Sequence, residues 1–172
     1  MTFSALISEQ MQFVSFAGPF IWLGFFLFLL VCTLLYIRHM HKELFYVFLS
    51  LLSYFYVLTL KVIFHLQRPS TATLSKLAWD RFSFPSSHTV TYTVIFGFLL
   101  YLFSKYKLVG PLIRLSLRIT FLYLILLVGI SRVYLGQHYA RDVIFGYIFG
   151  LVYLLGLIYL YKKSKQSVTK DK

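Results

Sequence analysis

Acidic residues are scarce in this chain: five Asp and Glu stand against 17 Lys and Arg, for a formal net charge of +12. Charged residues of both signs make up only 13% of the sequence, whereas hydrophobic residues make up 59%. A soluble domain carries an apolar share of about 45–50%, so there is too little polar surface here to coat a water-soluble globule. A single cysteine, Cys32, excludes an internal disulfide and leaves the redox compartment unread. The positive charge does not point to nucleic acid, because the cations stand at the edges of apolar runs, where membrane orientation puts them. Residues 1–17 contain no Lys or Arg and no compact apolar stretch, so no cleavable signal peptide is expected.

What the chain has is length of apolar sequence. Five runs suffice to cross a bilayer, which takes about 20 helical residues: 19–38, 43–66, 86–104, 111–131 and 139–161. Pro19, Pro85 and Pro111 stand at run starts, where a missing N–H does no harm, and Pro69 follows a run end. In residues 2–16, Phe3, Leu6, Ile7, Met11, Phe13 and Val14 recur at roughly helical spacing, which predicts an amphipathic helix lying in the interface. The expected fold is therefore an all-α integral membrane protein. It is a single domain over 1–172, a compact bundle of about five transmembrane helices plus the interfacial helix. Gly146 and Gly150, four apart, would allow close helix contact.

Alternate connections hold Arg38 and Lys42, then Lys105, Lys107, Arg114 and Arg118, then the basic tail 162–172. The other set holds Lys61, Arg68, Lys76, Arg81, Arg132 and Arg141. The heavier set is expected in the cytoplasm, which puts the N-terminus outside and the C-terminus inside. The tail is expected to be solvated and disordered.

Three polar islands then fall on one face, the outer one. Ionisable groups in such a setting are costly and mark a functional site. In the first, Lys61 and Arg68 are seven apart, which on a continuous helix places both on one side; Arg offers a planar fork of donors for phosphate and Lys a mobile charge. Their structural alternative is two snorkelling cations. In the second, Pro85-Ser86-Ser87-His88 makes a loop opening a helix, whose free N–H groups and dipole favour an anion, with His88 placed to protonate a leaving oxygen. The alternative is plain N-capping. In the third, Arg132 can neutralise phosphate oxygens. His138 and Asp142, four apart, can pair so that the carboxylate holds one imidazole nitrogen while the other attacks phosphorus. His88, His138 and Asp142 are also a two-histidine, one-carboxylate metal set, but the neighbouring cations would repel a metal ion and attract a phosphate. His65 and the aromatic residues Trp79, Phe82 and Phe84 read as interfacial residues and anchors rather than catalytic groups.

Lys61-x6-Arg68-Pro69, Pro85-Ser86-Ser87-His88 and Ser131-Arg132-x5-His138-x3-Asp142 together resemble the three-part signature of the type 2 phosphatidic acid phosphatase family. These are membrane lipid phosphate phosphatases related to the vanadium haloperoxidases. The resemblance spans residues 61–142. It implies His138 as the nucleophile that becomes a phosphohistidine, Asp142 as its orienting partner and His88 as the acid and then the base. Lys61, Arg68, Ser86, Ser87 and Arg132 become the phosphate clamp. It implies no metal and no other cofactor. Ser87 departs from the family pattern, which usually has glycine there, and the family commonly has six spans where five are counted here.

The expected activity is hydrolysis of a lipid phosphomonoester or diphosphate: undecaprenyl diphosphate, phosphatidylglycerol phosphate, phosphatidic acid or a lipid A phosphate. The expected place is the outer side of a bacterial inner membrane. Two other readings stand beside it: a phosphotransferase using the same phosphohistidine with a lipid acceptor, and a non-enzymatic lipid-binding protein.

Overall fold

In a bilayer core no water satisfies backbone N–H and C=O groups, so apolar runs of this length must close their hydrogen bonds internally as helices. The computed structural model of the chain describes residues 20–70, 72 and 82–170, and every regular element among them is a helix. In order these are α1 (Phe20–Ile37), α2 (His41–Leu51), α3 (Ser53–Phe64), α4 (Ser87–Lys105), α5 (Pro111–Tyr134) and α6 (Ala140–Lys170). Four stretches are long and apolar enough to cross a membrane: His41–Phe64, Ser87–Lys105, Pro111–Tyr134 and Ala140–Lys165. The described apolar part of α1, Phe28–Ile37, is shorter. The interfacial helix expected over 2–16, Trp79 and the cations Lys76 and Arg81 lie outside the described residues.

Helix α4 is the hub and packs on α2, α3, α5 and α6. Its Val94, Phe98, Leu102 and Phe103 form the core with Val47 of α2 and Leu154, Leu157 and Tyr161 of α6. Large side chains such as Leu30, Phe55, Ile113, Leu126, Leu155 and Tyr159 face outward, the apolar belt expected of a bundle solvated by lipid. Gly146 and Gly150 do bring α6 hard against α4. A Cβ on Gly146 would stand 3.0 Å from the Thr89 Cβ, and one on Gly150 would stand 2.9 Å from the Thr93 Cβ.

The two ends of the bundle differ in chemistry. At one end α1 finishes where Arg38 reaches the Leu108 carbonyl at 3.4 Å. There too Glu43, buried at the start of α2, accepts hydrogen bonds from Tyr161 (2.6 Å) and Tyr106 (2.9 Å) and pairs with Lys165 (3.0 Å). The end of α3, the starts of α4 and α6 and the end of α5 meet at the other end. All three polar islands are there.

Several expectations need correction. The span read at 43–66 is present as His41–Phe64, with a one-residue interruption at Leu52 between α2 and α3. Helix α3 then stops at Phe64, before Arg68, because His65 takes the left-handed conformation (φ 52°) and its N–H bonds the Lys61 carbonyl at 3.0 Å. Histidine tolerates that region better than most residues. Lys61 and Arg68 therefore do not share a helical face. The described part of the basic tail, residues 162–170, is helical, a continuation of α6. Phe84 is no surface anchor: it is buried, with its ring 4.9 Å from Phe64 and 5.3 Å from Phe145.

Candidate active site

The third island is held by local devices that its own sequence supplies. Helix α5 ends in a glycine cap. Gly136 is left-handed (φ 63°), its N–H bonds the Val133 carbonyl at 3.0 Å, and the Gln137 N–H bonds the Arg132 carbonyl at 3.0 Å. This is the paired closure that satisfies orphan carbonyls at a helix end. The His138 N–H also reaches the Arg132 carbonyl, at 3.2 Å. The five residues between Arg132 and His138 are thus the length of one capped turn.

Asp142 stands in the first turn of α6 and its carboxylate folds back onto the chain: Oδ2 accepts the Tyr139 N–H at 3.0 Å. A carboxylate at the third helical position reaching the residue before the helix is half of a capping box. The same Oδ2 lies 3.5 Å from His138 Nδ1. Both side chains are buried, His138 to 3% exposure and Asp142 to 0%. The pairing expected of His138 and Asp142 is therefore present, although His138 precedes α6 rather than riding on it.

The second island is pinned to the third by the Ser86 N–H, which donates to the Asp142 main-chain carbonyl at 3.0 Å. The chain reaches Ser86 through a cis Phe84–Pro85 peptide. Ser86 and Ser87 are buried, and neither hydroxyl has a hydrogen-bond partner among the described residues. Buried hydroxyls are nearly always satisfied, so the pair marks a place for a polar ligand. His88 follows on the first turn of α4, and the charges of Arg132, Arg68 and Lys61 bear on it.

In the first island Lys61 is fully buried in the last turn of α3, and its Nζ donates to the Phe82 carbonyl. Arg68, in the segment after α3, donates from one guanidinium nitrogen to the Gln137 carbonyl at 3.4 Å. The first island is therefore tied to both others, even though the helical register expected for it fails. His65 is exposed, with its ring 4.7 Å from Phe82.

All eight expected residues thus gather at one end of the bundle. The charges of Lys61, Arg68 and Arg132 bear on both imidazoles, and a buried carboxylate backs one of them. Burial, together with the charges of Arg68, Lys61 and Arg132, lowers the His138 pKa to about 4, against the raising effect of the Asp142 carboxylate beside it. The ring is therefore neutral at physiological pH, with a lone pair free on one nitrogen.

One residue at the site was missed by sequence reasoning. Ser83 is fully buried; its hydroxyl donates to Asp142 Oδ2 and lies 3.3 Å from His138 Nδ1. Its N–H bonds the Leu66 carbonyl at 2.7 Å. A serine just ahead of a Phe-Pro pair carries no sequence signal of that contact.

Comparison with known proteins places this geometry. The family model described as the PAP2 superfamily matches residues 42–166. The fold also matches a crystal structure of a transmembrane PAP2-type phosphatidylglycerolphosphate phosphatase from Bacillus subtilis. The TM-score is 0.71 and the identity 25%, over 95% of this chain and 78% of that one.

Proposed function

The chain belongs to the PAP2 superfamily, and from that premise we propose that it is a membrane phosphatase hydrolysing lipid phosphomonoesters or diphosphates through a phosphohistidine. The observation that carries the proposal is the convergence of Lys61, Arg68 and Arg132 with two imidazoles, one of them backed by the Asp142 carboxylate.

The phosphate of the substrate sits among Lys61, Arg68, Arg132 and the hydroxyls of Ser86 and Ser87. Nε2 of His138 attacks phosphorus with its lone pair. The bond from phosphorus to the leaving oxygen breaks, and that oxygen takes a proton from His88, whose cationic form the negative charge of the bound phosphate stabilises. His88, now neutral, accepts a proton from water as the water oxygen attacks phosphorus. The N–P bond breaks, its electrons return to Nε2, and inorganic phosphate leaves. Preorganised donors aimed at the phosphoryl oxygens act on charge that grows in the transition state. No step requires a metal ion.

Exposed Ile63, Phe64, Val133, Tyr134 and Tyr139 stand at the same end as the site. They support a substrate whose phosphate enters the polar cluster while its tails stay in lipid. Phosphatidylglycerol phosphate, phosphatidic acid, undecaprenyl diphosphate and a lipid A phosphate all fit that description. The lysine-rich opposite end faces the cytoplasm by the positive-inside rule, so the site opens outward from a bacterial inner membrane.

The test is phosphate release by purified protein from a panel of these lipids at equal surface concentration. Wild type should release phosphate with EDTA present, and His138→Ala should not. Equal release from both removes His138 from the mechanism, and loss with EDTA reversed by one metal removes the metal-free reading. Label released from a radioactive donor only when an acceptor lipid is added would assign transfer in place of hydrolysis.

A further inference from the structure

We propose that Ser83 is a positioning residue for His138: its hydroxyl bridges imidazole and carboxylate and so decides which ring nitrogen keeps its proton. This inference rests on the reading of His138 as nucleophile and deepens it.

A serine hydroxyl has one proton to give and lone pairs to receive with; an ionised carboxylate only receives. Ser83 Oγ stands in hydrogen-bonding contact with Asp142 Oδ2 and 3.3 Å from His138 Nδ1. Its single proton goes to the carboxylate. Toward His138 it can then only accept, so Nδ1 must carry the ring proton. Nε2 is left with the lone pair that a nucleophile requires.

The direct contact of Nδ1 with the carboxylate favours the same tautomer but is the longer of the two. At 3.5 Å the separation of Nδ1 and Oδ2 is longer than a good N–H···O hydrogen bond. Oδ2 also already serves the Tyr139 N–H at 3.0 Å. The shorter polar contact of Nδ1 is with Ser83. Ser83 is itself fixed, being fully buried with its N–H on the Leu66 carbonyl. It thereby ties the segment after α3 to the nucleophile as well. When Nε2 bonds to phosphorus and the ring becomes cationic, the Nδ1–H stays on the ring. Its charge is felt by Asp142 through the hydroxyl, with no proton transferred.

Two measurements test this. In protein carrying 15N-histidine, in detergent at pH 7, the His138 signals are identified by their loss in His138→Ala. The expected result is a protonated-type Nδ1 and a lone-pair-type Nε2. The reverse tautomer overturns the proposal, and this readout does not depend on any Ser83 variant folding. Kinetically, Ser83→Ala should lower kcat about ten- to a hundredfold, the usual weight of a hydrogen bond to a charged group. KM should change little, the two tautomers should become mixed, and Ser83→Thr should recover most of the loss. Wild-type kcat in a folded Ser83→Ala overturns the proposal. Failure of the parent reading would look different, because His138→Ala would then itself release phosphate at the wild-type rate.

Discussion

Replacing Asp142 by Asn isolates the charge behind His138, the proposed nucleophile. The shape of the side chain is kept; the negative charge, 3.5 Å from His138 Nδ1, is removed. In the ground state His138 is neutral, so little of the carboxylate's attraction is used. On attack the ring becomes a cation, and the full interaction develops. At that distance, with an effective dielectric of about 20, it is worth about 4–5 kcal/mol. At about 1.4 kcal/mol per tenfold, kcat should fall by about a thousandfold while KM stays near wild type. The assay is initial-rate phosphate release in mixed micelles, after size-exclusion chromatography shows that the variant is folded. The pH dependence gives an independent check of sign. Asp142 raises the His138 pKa, yet burial and the three cations still hold it at about 4. Removing the carboxylate can only push it lower, so His138 is unprotonated in both proteins above pH ~5. The ratio of kcat/KM between the two proteins, in which titration of the substrate cancels, should be flat from about pH 5.5 to 8. A loss under tenfold, a loss confined to KM, or a ratio that bends near the ordinary histidine range of about 6.5 would refute the reasoning.

Other perturbations separate clamp, packing and support. Lys61→Met keeps the stem of a fully buried side chain but deletes its charge, and phosphate release should fall at least about tenfold, as for a lost charged hydrogen bond. Gly150→Val drives a Cβ into the Thr93 Cβ and the Val90 carbonyl, at 2.9 and 3.2 Å, whereas Gly156→Val meets nothing within 4 Å. The first should cost about 1–3 kcal/mol and lower the thermal midpoint in detergent, and the second should not. Glu43→Gln disturbs the Tyr161, Tyr106 and Lys165 contacts at the end away from the site. It should reduce stability by about 1–3 kcal/mol and leave kcat at the wild-type value.

Some features were legible because they depend on composition and order alone. An apolar run in lipid has to be helical, so the spans near 86–104 and 111–131 correspond closely to α4 and α5. Alternation of crossings placed the three islands at one end before any contact was known. The chemistry proposed for His88, His138 and Asp142 was read from residue type and spacing. Other features depend on where backbone hydrogen bonds close. The helix carrying Lys61 ends at a left-handed His65, and a histidine there looks like any other helical residue in sequence. Arg68 arrives through the Gln137 carbonyl, a partner 69 residues away. The extension of α6 to Lys170 places Tyr161 and Lys165 against Glu43, which a basic terminal run does not announce.

The sequence by itself determined the solvent of this protein, its helical class and the residues able to hold and attack a phosphate. Hydropathy and side-chain chemistry are properties of each residue and survive without coordinates. Only the tertiary structure decided how those residues face each other. It tied the Ser86 N–H to the Asp142 carbonyl, brought Arg68 to the Gln137 carbonyl and put Ser83 between the Asp142 carboxylate and the His138 ring. A hydrogen bond between distant segments is set by the packing of α4 against α5 and α6, and no local pattern encodes it.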